Sequence, residues 1–120
     1  MNRQLKDKEL LKICSQFRYG VIGRGKANRK CYMITAPLCS YLKFLKIECT
    51  MIEGFVTIGE NITNHFWILL PDGRIIDPTA DQFNEIKGLE MPKVYLGQKP
   101  DWYMMPKRKI RKQQQLINHN

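Results

Sequence analysis

Asn64-His65-Phe66-Trp67-Ile68-Leu69-Leu70 and Arg74-Ile75-Ile76-Asp77, joined by Pro71-Asp72-Gly73, read as two short strands around a tight turn. Pro suits the first corner of a type I turn and Gly the left-handed position that follows, so the loop has three residues. Leu70 then faces Arg74, Ile68 faces Ile76 and Trp67 faces Asp77. Side chains alternate along a strand, which puts His65, Trp67 and Asp77 on one face and Phe66, Ile68 and Leu70 on the other. His65 and Asp77 become diagonal neighbours with Cβ atoms roughly 7 Å apart, within reach of a hydrogen bond. A two-residue loop would turn Asp77 to the opposite face. Asp77-Pro78-Thr79 closes the second strand as a turn.

Working outward, a thiol precedes this hairpin. Cys31 opens an apolar segment of helical character, Cys31-Tyr32-Met33-Ile34, whose inner face continues through Leu38, Leu42 and Leu45. Partial positive charge at a helix N-terminus favours a thiolate. A thiol, an imidazole and a carboxylate in this order read as nucleophile, base and orienter of the base. His119, in the tail, is the other histidine, which leaves His65 as the credible base. The Cys31 backbone N–H is the natural first oxyanion donor. Gln16, Tyr19 and Asn28 are candidates for the second, and spacing does not rank them. Trp67 belongs to the core or to the wall of the substrate pocket rather than to the chemistry.

These residues resemble the transglutaminase-like superfamily of papain-fold cysteine enzymes. Members carry a Cys at the start of a helix ending in a Leu-Gly-Ile-type segment, then a Gly-aromatic pair, a His-Ala-Trp motif and an Asp-Pro-Thr motif. Leu45 and Ile47 match the helix end, Gly54-Phe55 the Gly-aromatic pair, His65 and Trp67 the histidine motif, and Asp77-Pro78-Thr79 the last. The match spans roughly residues 28 to 80. Lys30, Lys46 and Phe66 stand where the family usually has Gly, Gly and Ala. The resemblance implies an α+β, papain-like fold in which a central helix carrying Cys31 packs on a small antiparallel sheet carrying His65 and Asp77. It also implies hydrolysis of an amide, peptide or isopeptide bond through a thioester, without cofactor or metal. Resolution of the thioester by an amine would make the protein a transglutaminase or acyltransferase instead. A module that keeps the fold and only binds an acidic partner is the rival reading.

The remaining chain is consistent with one modest core. It has 120 residues, 43% of them hydrophobic, and a net charge of +9. Residues 1 to 30 hold nine Lys/Arg against two Asp/Glu, residues 31 to 106 six against nine, and residues 107 to 120 five against none. The basic character lies in the flanks, so charge alone does not make this a nucleic-acid-binding domain. The flanks suit an acidic macromolecule, nucleic acid included, beside the protein or peptide substrate. Arg24, Lys26, Arg29 and Lys30 either raise the potential around Cys31 or belong to a solvated loop. Cys14, Cys39 and Cys49 lack paired zinc-ligand spacing and read as small core residues. No apolar run approaches the ~20 residues of a bilayer span, and the charged start does not lead into a signal-peptide core, so a cytoplasmic location is expected.

The segment pattern predicts an amphipathic helix over residues 4 to 18 with Leu10, Ile13, Cys14 and Phe17 on one stripe, followed by a glycine-bearing loop over 20 to 30. A helix over 31 to 46 is expected to start irregularly because of Pro37, becoming regular from Thr35 or Ala36. Strands are predicted at 49 to 58, 65 to 70, 74 to 77 and 91 to 96. Residues 1 to 106 form the domain, and 107 to 120 a basic tail, frayed or disordered.

Overall fold

Leu10, Cys14 and Arg18 recur every fourth residue and are the buried positions of the first helix, α1 (Asp7–Ile22). The computed structural model describes residues 5–27, 30–86 and 89–106, so the tail expected at 107–120 lies outside the described residues. Asp7 and Glu9 occupy the first turn of α1, where carboxylates oppose the helix dipole favourably. The helix runs on through Gly20 and stops at Gly23, whose φ of 69° is left-handed and whose N–H donates to the Tyr19 carbonyl at 2.7 Å. The loop predicted from residue 20 therefore begins three residues later. An interior glycine costs only about 1 kcal/mol, and the stopping signal is the glycine that takes a positive φ.

The second helix, α2 (Cys31–Phe44), is regular from its first residue, contrary to the expected irregular start. The Lys30 carbonyl already accepts from Ile34 N–H at 3.1 Å. Pro37 sits in the second turn and removes a single bond, at a cost of about 3 kcal/mol. Burial of Ile34, Leu38 and Leu42 offsets it, at about 1.5–3 kcal/mol per side chain. The helix ends at Lys46, which has φ 68°. Ile47 N–H donates to Leu42 O and Lys46 N–H to Lys43 O, both at 2.9 Å, the paired bonds of a Schellman ending.

Five antiparallel strands follow: β1 (Thr50–Ile58), β2 (Asn61–Leu69), β3 (Ile75–Asp77), β4 (Tyr95–Gly97) and β5 (Tyr103–Met104), ordered β4-β3-β2-β1-β5. A 3-10 helix (Ala80–Phe83) follows β3. The fold is α+β, two helices with one antiparallel sheet. β2 starts at Asn61, four residues before the predicted strand, because Gly59 turns the chain at φ 59° and pairs Ile58 with Asn61. This extension is solvent-exposed, and Ile62 is its single apolar residue, so it carries no alternation to read. β4 is displaced from 91–96, and β5 was not expected at all.

The β2–β3 hairpin has the register read from its turn. Ile68 pairs with Ile76 and Leu69 with Ile75; Leu70 N–H donates to Arg74 O at 2.9 Å, and Gly73 takes φ 92°. The two faces of the sheet bury separate cores. Leu38, Cys39 and Leu42 of α2 meet Ile68, Ile76, Leu10, Cys14 and Cys49 on one side. Ile52, Val56, Trp67, Ile75, Phe83 and Tyr103 pack on the other. Gly54 pairs with His65 in this second face. A Cβ there would overlap the Trp67 ring and lie 2.5 Å from the Met104 carbonyl oxygen. Among the described residues no helix is long and apolar enough to cross a membrane.

Candidate active site

His65 and Asp77 meet as the hairpin register requires. His65 Nε2 lies 2.6 Å from Asp77 Oδ2, and both side chains are fully buried. An ionised carboxylate only accepts, so Nε2 carries the proton of this bond. Asp77 Oδ1 accepts from the Thr79 N–H at 2.9 Å and from the Thr79 hydroxyl at 3.2 Å. The first is an Asx-turn, which the Asp-x-Thr spacing encodes locally. Tyr103 donates its hydroxyl to Asp77 Oδ2 at 2.5 Å. Four donors thus hold one carboxylate, and the burial of its charge is matched by hydrogen bonds.

The imidazole is wedged among aromatic rings. The Phe83 and Tyr103 edges lie 4.8 and 5.9 Å from it between centroids, and Trp67 lies 6.1 Å away on the same sheet face. Trp67 is completely buried and packs edge-on to Tyr103 at 5.2 Å. Of the two places expected for it, core and pocket wall, it takes the core beside the imidazole. Phe66, on the opposite face, packs edge-on to the exposed Tyr32 at 5.0 Å. Phe66 therefore forms an aromatic contact with the neighbour of Cys31.

Cys31, the first residue of α2, is half-buried and hydrogen-bonds to His65. Burial alone would push the thiol up. The hydrogen bond and charge of His65, with the Phe66 and Tyr32 backbone N–H groups, overcome it and hold the thiol below its ordinary value. The Tyr32 amide is one of the unpaired donors of a helix start. For His65, burial acts downward, but the charge and hydrogen bond of Asp77, with those of Cys31, raise it to about 9. Both shifts favour a thiolate beside an imidazolium. Cys14 and Cys49, by contrast, are pushed up to about 12 by burial. Lys26 points instead to Glu85 at 3.9 Å.

Gln82, in the 3-10 helix, was not anticipated. Its amide nitrogen lies 2.7 Å from His65 Nδ1 and 3.4 Å from Thr79 Oγ1. The candidates named from the sequence are elsewhere: Gln16 and Tyr19 are exposed on α1, and Asn28 lies outside the described residues. Arg18 was also missed. Its guanidinium is bidentate on Asp81 at 2.6 and 2.8 Å and donates to the carbonyls of Gly25, Pro78 and Lys93 at 2.9, 3.2 and 2.6 Å. It ties α1 to the turn that follows Asp77. Its phase with Leu10 and Cys14 was the available signal.

Comparison of this chain with protein-family models, with curated proteins and with solved structures finds no match.

Proposed function

We propose that the protein is a cysteine hydrolase that cleaves an amide, peptide or isopeptide bond through Cys31, His65 and Asp77. The observation that carries this reading is the fully buried 2.6 Å contact between His65 Nε2 and Asp77 Oδ2, beside a Cys31 thiol that His65 holds below its ordinary value. In this reading Sγ attacks the carbonyl carbon as a thiolate, its proton already on the imidazole, and the π pair moves to oxygen. The tetrahedral adduct collapses by breaking the C–N bond, and the same proton passes to the leaving amine. Water then attacks the thioester, giving its proton to Nδ1, and Sγ leaves as a thiolate, which restores the starting pair. Asp77 keeps the proton on Nε2 throughout and stabilises the imidazolium.

Limited treatment with iodoacetamide followed by intact-mass and peptide analysis tests the reading. Cys31 is expected to be labelled far ahead of Cys14, Cys39 and Cys49, and His65→Ala to slow that labelling. Equal labelling of all four thiols in the folded protein would sink it.

A further inference from the structure

Between Leu10 and Ile47 the chain has no Asp or Glu and eight Lys/Arg, whereas residues 48 to 106 hold nine Asp/Glu against four Lys/Arg. The boundary falls where the helices give way to the sheet, so folding turns this bias into two layers of opposite sign. Leu10 and Cys14 of α1 and Leu38, Cys39 and Leu42 of α2 pack on one face of that sheet, against Ile68 and Ile76. Asp7 and Glu9, at the far end of α1, are matched by Lys6 and Lys8. Arg18 is neutralised by Asp81, but Lys12, Arg24, Lys30, Lys43 and Lys46 are exposed. The helix layer therefore presents net positive charge to solvent.

The same layer is apolar where it should be polar. Ile34, Leu38 and Leu42 are the buried side of α2. Met33, Pro37, Tyr41 and Phe44 recur at three- and four-residue spacing as well, so they share a second face. All four are exposed, Met33 by 51% and Phe44 by 77%. Tyr41 stacks on Phe17 of α1 at 5.6 Å, which carries the stripe towards the neighbouring helix. Lys30 and Lys43 stand at its two ends. A helix that is apolar all round belongs in an interior or at an interface, and among the described residues nothing covers this side. A nucleic acid would satisfy the lysines and leave Met33 and Pro37 without a partner. A second copy would set one basic layer against another. An anionic lipid surface offers phosphates to the charges and acyl chains to the stripe. We propose that the helix layer docks on an anionic membrane surface, with Met33, Pro37, Tyr41 and Phe44 inserted among the headgroups and the exposed lysines and Arg24 on the headgroup phosphates. The inference does not depend on the chemistry assigned to Cys31.

Co-sedimentation of the full chain with vesicles tests the proposal, using phosphatidylcholine alone and phosphatidylcholine mixed with about 30% phosphatidylserine. Strong binding is expected only to the mixed vesicles, and it is expected to weaken as salt rises. Charge alone, that of residues 107 to 120 included, would give the same pattern, so the decisive variants are apolar. Phe44→Ser is expected to weaken binding about tenfold, the scale of partial burial of one aromatic side chain. Its urea-unfolding midpoint is expected to stay native, because Phe44 already faces solvent. Met33→Ser, three turns away on the same stripe, is expected to act in the same direction. Lys43→Glu is expected to cost roughly tenfold or more at low salt, since an attractive charge becomes a repulsive one. Phe44→Trp, read by fluorescence against the wild type, is expected to shift its emission to the blue on the mixed vesicles. No binding to those vesicles, undiminished binding by both serine variants, or no shift in Phe44→Trp would overturn the proposal. A dimer in sedimentation velocity that Phe44→Ser dissociates would overturn it in favour of a second copy. Polyuridine RNA that binds the wild type and loses tenfold in Phe44→Ser would overturn it in favour of nucleic acid.

Discussion

Asp77 and Asp81 flank the turn Pro78-Thr79-Ala80, and each accepts a 2.6 Å bond from a buried partner that bears positive charge, His65 for one and Arg18 for the other. The difference lies in what the partner can still do. Arg18 cannot release its proton, and its terminal nitrogens are engaged by three carbonyls besides Asp81. His65 titrates, and its second nitrogen faces Gln82 rather than a fixed carbonyl. A buried pair of this kind does chemistry when the cation is able to lose its proton. With a cation that cannot, the pair is closed to proton transfer and only fastens the chain. Here the closed pair fastens the very turn that carries the open one, since Arg18 also holds the Pro78 carbonyl next to Asp77.

The largest effect that sharpens this contrast is expected from Asp77→Asn. The shape is kept, but an amide satisfies Nε2–H less well and frees the imidazole to take the wrong tautomer. Turnover is expected to fall about 10⁴-fold, the scale of such a loss in a triad. The circular-dichroism spectrum is expected to remain native. Asp81→Asn measured alongside is expected to cost stability and to leave the alkylation rate of folded Cys31 unchanged. Equal losses of reactivity in the two variants would erase the distinction between the pairs.

Arg18→Ala is expected to come next, with a loss of about 3–5 kcal/mol in urea-unfolding free energy, because a lone carboxylate and unpaired carbonyls are left in the interior. The surviving folded fraction is expected to alkylate at Cys31 normally. A loss below 1 kcal/mol would show that water replaces the guanidinium at little cost.

A smaller effect distinguishes the pairs by pH. His65 is raised from 6.5 to about 9, so on its own it contributes stability that is full below 6.5 and lost as pH rises through about 9. Cys31 is lowered from 9.0, so its contribution is present above 9 and lost as pH falls through its folded value. Between the folded value of Cys31 and about 9 the folded protein has moved one proton from sulfur to nitrogen rather than gained or lost one, and stability is expected to be nearly flat there. Cys31→Ala removes one half of the exchange. Its His65 remains raised by Asp77, so the variant is expected to lose stability as pH climbs above 6.5, measured by chemical denaturation across that window. A wild-type slope as steep as the variant's would mean that the thiol and imidazole do not share the proton.

How much of this was legible follows from which interactions are local. The meeting of His65 with Asp77 depends on turn chemistry and strand parity, and Pro71-Asp72-Gly73 states both. The Asx-turn of Asp77 on Thr79 is equally local. Gln82 reaches His65 only because a 3-10 helix folds back after that turn, and Tyr103 reaches Asp77 through β5, a strand of two residues with no pattern to read. Arg18 was hidden by its chemistry: arginine reads as surface unless its helical phase with Leu10 and Cys14 is given more weight than its charge. Trp67 was legible only as core or pocket wall, because strand parity gives its face but not its depth, and its complete burial places it in the core.

The smallest expected effect falls at the end of the helix that presents Cys31, away from both carboxylates, and serves as the control for them. Lys46 has φ 68° and is the sole non-glycine with positive φ among the described residues. Left-handed backbone brings a lysine Cβ close to its own carbonyl, a penalty of roughly 1–2 kcal/mol that glycine avoids. Glycine gives back part of that gain through the greater freedom of its unfolded chain. The Schellman bonds from Lys46 N–H and Ile47 N–H are made by the backbone and survive the exchange. Lys46→Gly is therefore expected to stabilise the protein by about 0.5–1 kcal/mol in urea unfolding, and to leave Cys31 alkylation and its pH profile where they were. A destabilised variant would mean that the lysine side chain contributes more at this helix end, through its favourable charge on the C-terminal dipole, than its backbone strain costs.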